Sequence, residues 1–408
     1  MIPASDEDTM TQTQAAGRHP EHSYFLDNTD PTLAPHLFAT LKQVQETEPV
    51  AWSDAVGGFW MLTKYTDITA AANDWETYTV EEGHTIPSTG KSVMLPLAEV
   101  DPPMHTTWRR FLVPYFTPKT VATYRPIVER IVTEAFADLA ERGSGDLSEV
   151  ARRIPTSVIS AVLGFTQDWA YISSITEEWM ASTGDTAHPE RAQRAAKAVE
   201  DVVREEVAAR RGKPATDVLG EIMQAEVDGR PLSDDELLGL CIVFIVAGHG
   251  TTVDGITNTV HRLLAEPGLL ASLQDDRDRV GAVIDESLRI NPPVWNMGRT
   301  ARRPAEVRGV AISPGEKVML TFGAGNYDPE KFADPDVFDP DRPGVHGHLT
   351  FGFGRHRCIG EALAKLEMTV AVDYILDHFP DLELADGVTP RTHFTTYGLT
   401  NLPVRRGA

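Results

Sequence analysis

Cysteine is scarce in this chain: 408 residues carry only Cys241 and Cys358. That excludes a disulfide framework as the basis of the fold and fits a reducing, cytoplasmic compartment. Long apolar runs are missing as well; none approaches the roughly 18 residues that mark a membrane span, so no span is expected. The start, Met1-Ile2-Pro3-Ala4-Ser5-Asp6-Glu7-Asp8, lacks the basic-then-apolar pattern of a leader. Cations are in deficit, with 37 Lys and Arg against 60 Asp and Glu and a formal net charge of -23. Such a field repels nucleic acid and makes an acidic small molecule a less natural substrate. Neither an internal repeat nor a linker-like interior stretch is evident. A single domain over residues 23–408 is expected, preceded by a polar, non-periodic and mobile tail at residues 1–22.

What is present is mainly helical. Val50-Ala51-Trp52 and Phe59-Trp60-Met61-Leu62, separated by a turn with Gly57-Gly58, read as a hairpin, and a short helix follows Tyr65. Residues 81–100, rich in Gly, Pro, Ser and Thr, read as a long loop of the kind that forms lids or binding loops. Helical patterns dominate between about residues 105 and 300, broken by turn signals at Gly184-Asp185 and Gly229-Arg230-Pro231. Residues 307–312 and 317–320 flank Ser313-Pro314-Gly315 and read as a second hairpin.

The clearest helix start is Ser233-Asp234-Asp235-Glu236, a capping box with Leu232 and Leu237 as its hydrophobic staple. This helix should run to about Ala265, where Glu266-Pro267-Gly268 stops it, and would span roughly 48 Å. Its middle reads Ala247-Gly248-His249-Gly250-Thr251-Thr252, followed by Gly255. An interior glycine costs about 1 kcal/mol relative to alanine. The cluster therefore serves either close helix packing or a local opening of the hydrogen-bond ladder where a ligand approaches and Thr251 turns inward.

Near the C-terminal end stands Phe351-Gly352-Phe353-Gly354-Arg355-His356-Arg357-Cys358-Ile359-Gly360. Thiolate rather than thiol binds a metal, and a helix N-terminus lowers the cost of that anion. Ala362, Leu363, Leu366, Val370 and Leu376 recur at helical spacing, which puts Cys358 at the first turn of a helix. The glycines allow a tight fold beneath the sulfur, with N–H groups aimed at it. Alone, Cys358 fits a small buried hydrophobe in a turn equally well. The whole string, however, resembles the haem-binding signature Phe-Gly-x-Gly-x-His-x-Cys-x-Gly of the cytochrome P450 family of haem-thiolate monooxygenases. Further ordered motifs carry the resemblance over residues 45–406.

The resemblance implies a mainly α fold with a smaller β portion, about a dozen helices around a buried haem, and the long central helix over its distal face. Haem b would take Cys358 thiolate as axial ligand, with Phe351, Gly352 and Gly360 shaping the loop. By motif, His105, Arg109, Arg299 and His356 would approach the haem propionates. Ala247, Gly248 and Thr251 would line the dioxygen groove, with Thr251 holding the hydrogen bonds that deliver protons. The sequence departs from the family at Gly250, where Asp or Glu is usual. Asp254 or His249 could replace that acid through water, or ordered water alone could carry protons. Glu286, Arg289 and Arg342 resemble the family's structural Glu-x-x-Arg pair and its third partner.

Pocket positions implied in the same way are Ile86, Met94, Val243, Ala247, Val294, Trp295, Asn296, Met297, Thr396 and Tyr397, although Trp295 and Met297 also fit ordinary core. The expected activity is hydroxylation or O-dealkylation of a small to medium apolar molecule, such as a terpenoid or substituted aromatic. It would use O2 and two electrons from a ferredoxin or flavodoxin with its NAD(P)H reductase. The resemblance implies that Arg109, Arg110, Arg355 and Arg357 would gather at the cysteine side of the haem as a basic docking patch. Two other readings remain at this point: a haem-binding sensor or carrier, favoured by Gly250, and a peroxide-using haem enzyme, disfavoured by Thr251.

Overall fold

The capping box sets where the longest helix begins. Ser233 Oγ accepts the Glu236 backbone N–H at 3.2 Å, and the Glu236 carboxylate accepts the Ser233 N–H at 2.8 Å. From there Asp234–Ala265 runs as one continuous 32-residue helix, ending where Glu266-Pro267 stops it. In length and composition this helix could cross a membrane. Instead 19 of its residues are buried by the protein itself. Leu147–Leu163, Val280–Ile290 and Glu361–His378 pack against it, as does the strand Thr396–Asn401. Each large apolar side chain so covered contributes about 1.5–3 kcal/mol, which is why this helix organises the main core.

The computed structural model describes residues 18–88, 94–182 and 188–407, and among them are fourteen α-helices and fourteen short strands. The smaller β portion centres on a five-stranded mixed sheet. Its order is Val50–Ser53, Phe59–Leu62, Lys317–Leu320, Met297–Ala301 and Tyr78–Thr79. The first hairpin forms as the sequence predicts, with Val50 opposite Leu62 and Ser53 opposite Phe59.

The second hairpin is corrected. Val310–Ile312 turns back onto Ala305–Val307, while Lys317–Leu320 leaves it to pair with Phe59–Leu62 in parallel and Met297–Ala301 in antiparallel. The reversing residues are Arg308 and Gly309, both at positive φ (52° and 83°). That geometry is the tight turn that matches strand twist, whereas Ser313-Pro314-Gly315 only redirects the chain.

Residues 18–22, assigned from sequence to the mobile tail, are anchored. His19 sits between Trp52 and Trp60, 4.6 Å from each ring, and its Nε2 meets Glu316 Oε1 at 3.0 Å. The rest of that segment, and the turn at Gly184-Asp185, lie outside the described residues.

Two helix glycines have packing reasons. A Cβ at Gly255 would fall on the terminal methyl of Met368, and one at Gly239 on the backbone carbonyl of Met94. The first brings the cysteine-side helix against the central helix; the second lets the long loop lie directly on it.

Candidate functional site

Backbone geometry presents Cys358. Gly352 and Gly354 adopt left-handed φ of 73° and 67°, and a Cβ at Gly354 would collide with Asn73. The Cys358 N–H donates to Phe351 O at 2.8 Å, closing the loop. The following helix is Glu361–His378, capped by Gly360, so Cys358 stands just ahead of that helix rather than in its first turn. Burial pushes the thiol up from its ordinary value. A bond from the Gly360 N–H and the charges of Arg109 and Arg357 oppose that shift, while Glu361 adds to it. Cys358 nevertheless exposes surface. Both facts hold together for a sulfur deep in the fold that opens onto an internal cleft.

Cationic and orphaned groups gather around the same cleft from separate segments. Arg299, on Met297–Ala301, is 5% exposed, and among the described residues its side chain hydrogen-bonds only to the neighbouring Gly298 carbonyl at 2.8 Å. Burial pulls its guanidinium down to about 10, with Asp101 opposing. His105, on Met104–Phe116, has a buried Nε2 with no hydrogen-bond partner among the described residues, and burial pushes its pKa down to about 3. His356 Nδ1 meets Leu97 O at 3.1 Å, but its buried Nε2 is also unpartnered, with Asp101 Oδ1 at 3.8 Å. The two imidazoles lie 4.2 Å apart. Arg109 turns inward and donates to Arg357 O at 2.6 Å. A buried cation without an anion costs several kcal/mol. Arg299 therefore calls for a carboxylate-bearing guest, and the orphaned Nε2 atoms of His105 and His356 offer it hydrogen-bonding positions beside the cysteine loop; the two propionates of a haem fit that requirement.

The central helix supplies another wall. Val243, Ala247 and Thr251 repeat at four-residue spacing; Ala247 is exposed and the other two are half-buried, in the middle of an otherwise covered helix. Thr251 Oγ1 donates to Ala247 O at 2.8 Å, and the helix is unbroken there, so the ladder is not opened. A Cβ at Gly250 would meet nothing within 4 Å among the described residues.

The two candidate relay side chains point elsewhere. His249, two residues from Thr251 and so on nearly the opposite helix face, bonds Thr156 Oγ1 at 2.5 Å through Nδ1. Its Nε2 faces Glu177 Oε1 at 3.3 Å and Ser173 Oγ at 3.4 Å. Asp254 gives its carboxylate to Arg391, Nη2 to Oδ1 at 2.6 Å. Neither hydrogen-bonds to Thr251 among the described residues.

Among the expected pocket positions, Met94, Val243, Val294, Met297, Thr396 and Tyr397 are half-buried. Ile86, Trp295 and Asn296 are packed as core: Trp295 and Asn296 are fully covered, and Asn296 Nδ2 donates to Phe394 O at 2.8 Å. Tyr397 directs its ring onto Phe38, 4.7 Å away and edge-on.

Glu286 and Arg289 are fully buried, unlike the solvated pair that their spacing alone suggests. Arg289 Nε and Nη2 each donate to Glu286 at 2.7 Å, and Arg342 Nε adds a bond at 3.2 Å. Arg289 also bonds Asn326 O at 2.9 Å, and the Asn326 side chain holds the Leu349 N–H at 2.6 Å and Thr350 Oγ1 at 3.1 Å. The triad thus props up the entry to the cysteine loop.

Sequence reasoning missed Asp101, which accepts from Thr79 Oγ1 at 2.5 Å and pairs with Arg302 at 3.1 Å beside the anion cradle. It also missed Arg391 and Gly398, which enclose Asp254. Asp101 was within reach, since it opens the Asp-Pro-Pro run before His105.

A family model described as Cytochrome P450 matches residues 165–406. Cytochrome P450 107B1 of Saccharopolyspora erythraea is 36% identical over 382 residues, covering 88% of this chain and 93% of that protein. The 6-deoxyerythronolide B hydroxylase of the same organism is 32% identical over 400 residues, covering 90% and 95%. Among solved structures, cytochrome P450 PksS of the Bacillus subtilis 168 bacillaene polyketide synthase matches with a TM-score of 0.86 at 26% identity, covering 94% of this chain and 100% of that one.

Proposed function

The chain belongs to the cytochrome P450 family and is a haem-thiolate monooxygenase; from that premise we propose how its own residues divide the work. Cys358 would hold the haem iron as thiolate, steadied by the Gly360 N–H. Arg299, His105, His356 and Arg109 would hold the haem carboxylates. When bound, the haem supplies dioxygen activation, and thiolate ligation favours O–O cleavage. Phe351 and Gly352 shape the loop beneath it, and Glu286, Arg289 and Arg342 keep that loop in place. The observation carrying this assignment is the convergence, on the side of the fold that holds Cys358, of a buried arginine that makes no ion pair and two imidazole nitrogens that have no hydrogen-bond partner among the described residues.

Ala247, Gly248 and Thr251 form the oxygen groove on the central helix. Thr251 holds a proton at Oγ1, already shared with the Ala247 carbonyl. Protons reach it through water, for which the open Cβ position of Gly250 leaves room. The engagements of His249 with Thr156 and of Asp254 with Arg391 support this water route over either side chain.

The substrate in this reading is an apolar organic molecule of small to medium size that enters between Met94, Val243, Val294, Met297 and Thr396. Terpenoids and substituted aromatics suit such a lining. The relative named 6-deoxyerythronolide B hydroxylase adds a macrolide-type lactone to the panel. Electrons come from a ferredoxin or flavodoxin docking in the cytoplasm near Arg355 and Arg110, both exposed. Arg109 and Arg357 contribute less to that patch, since one turns inward and the other is bound to Glu361 at 2.7 Å.

The test is a reduced carbon monoxide difference spectrum of wild type and Cys358→Ser, followed by Soret-shift screening of that panel. Wild type should give a thiolate-type band that the variant lacks. A band retained in Cys358→Ser rules out the ligand assignment.

A further inference from the structure

Asp254 is a buried acid that the mechanism above does not use, and its surroundings form a socket. The residue is 1% exposed, and its Oδ1 accepts from Arg391 Nη2 at 2.6 Å. Arg391 and Gly398 are direct cross-strand partners in the hairpin of Thr389–His393 and Thr396–Asn401. A Cβ at Gly398 would fall on the Asp254 carboxylate. The absent side chain on one strand makes the hole, and the arginine opposite closes it. Nearby, Asn258 Nδ2 donates to Asn291 O at 3.0 Å and to Tyr397 O at 3.5 Å, a second tie from the helix. At its far end the hairpin meets the Val294 segment: Val294 bridges Thr396, and the Trp295 N–H donates to Thr395 O at 3.0 Å.

We infer that Asp254 and Arg391 are positioning residues: their ion pair seats the terminal hairpin on the central helix and thereby sets how far Thr396 stands into the substrate pocket. The inference rests on the pocket assignment above. The pair bridges interior and solvent, since the Asp254 side chain is 2% exposed and that of Arg391 39%. Facing the carboxylate are Arg391 from the hairpin, Arg152 from Leu147–Leu163 and Tyr397 from the second strand; His393 lies beside Arg391. Burial pushes Asp254 up to about 7, and Arg391 and Arg152 hold it from rising further.

The experiment uses the haem-loaded wild type, Arg391→Gln, Arg391→Lys and Asp254→Asn. Spectral titrations compare imidazole, which needs only the iron, with clotrimazole, which fills the pocket. In Arg391→Gln and Asp254→Asn, clotrimazole binding should weaken about tenfold while imidazole changes less than about twofold, with Arg391→Lys restoring most of the loss. Amide hydrogen exchange across residues 396–401 should rise in Arg391→Gln. Equal losses for both azoles, an unchanged ratio, or unchanged exchange each overturn the inference. If wild type gives no thiolate band and binds neither azole, the haem assignment fails, and hydrogen exchange alone then decides whether the pair seats the hairpin.

Discussion

The cysteine side of the cleft and the central-helix side are held in different ways. Around Cys358, left-handed glycines, a backbone bond to Phe351 and the Glu286, Arg289 and Arg342 triad leave little freedom. Along Val243, Ala247 and Thr251 the helix offers small side chains, and at Gly250 an unfilled Cβ position. The first wall fixes a ligand atom to a narrow position, which loop backbone achieves only when cross-braced. The second wall leaves volume for small molecules, which a helix does by omission. Glycine therefore serves conformation on one side and space on the other.

The largest expected effect breaks the braced side. Arg289→Met leaves the Glu286 carboxylate fully buried without its main partner, and stability in denaturant melts should fall by about 3–5 kcal/mol. A loss under about 1 kcal/mol would mean that the triad is not what holds the loop.

A pH effect comes next, on the helix side. The Asp254 carboxyl is raised above its ordinary 3.8 to about 7, so the stability it confers is full at acid pH and lost as pH rises through about 7. Between about pH 5 and pH 7, wild type should lose about 2 kcal/mol relative to Asp254→Asn. Parallel pH profiles would show that the carboxyl is not shifted.

The same small change should have opposite signs on the two walls. Gly354→Ala, at φ 67° and against Asn73, should cost about 1–2 kcal/mol. Gly250→Ala should gain about 1 kcal/mol from helix propensity alone. Thermal melts of the pair decide it, and a destabilised Gly250→Ala would remove the claim of open space.

The smallest effect concerns docking outside the braced wall. Arg355→Glu should slow reduction by an acidic ferredoxin severalfold at low salt, with the difference fading at high ionic strength. A salt-independent difference would exclude steering.

Local features were legible in the sequence. The capping box at Ser233, the stop after Ala265 and the cysteine loop each depend on residues within a few positions of one another. The strand Lys317–Leu320 was misread because its partners begin at Phe59 and Met297, far along the chain, and only they fix its pairing. The aim of His249 and Asp254 was hidden for the same reason. Which face of the helix meets Glu177 or Arg391 is settled by tertiary packing, with Arg391 standing 137 positions after Asp254 in the chain. Arg299 is found by motif, but that it makes no ion pair among the described residues requires the fold.

Met368 sits ten residues after Cys358, and Gly255 four after Thr251, and the thioether of one occupies the notch of the other. The walls of the cleft thus share a gauge block: a single flexible side chain helps set the clearance between them. Oxidising that sulfur would lengthen and polarise the block, so the jaw opening of the enzyme is tied to one buried thioether.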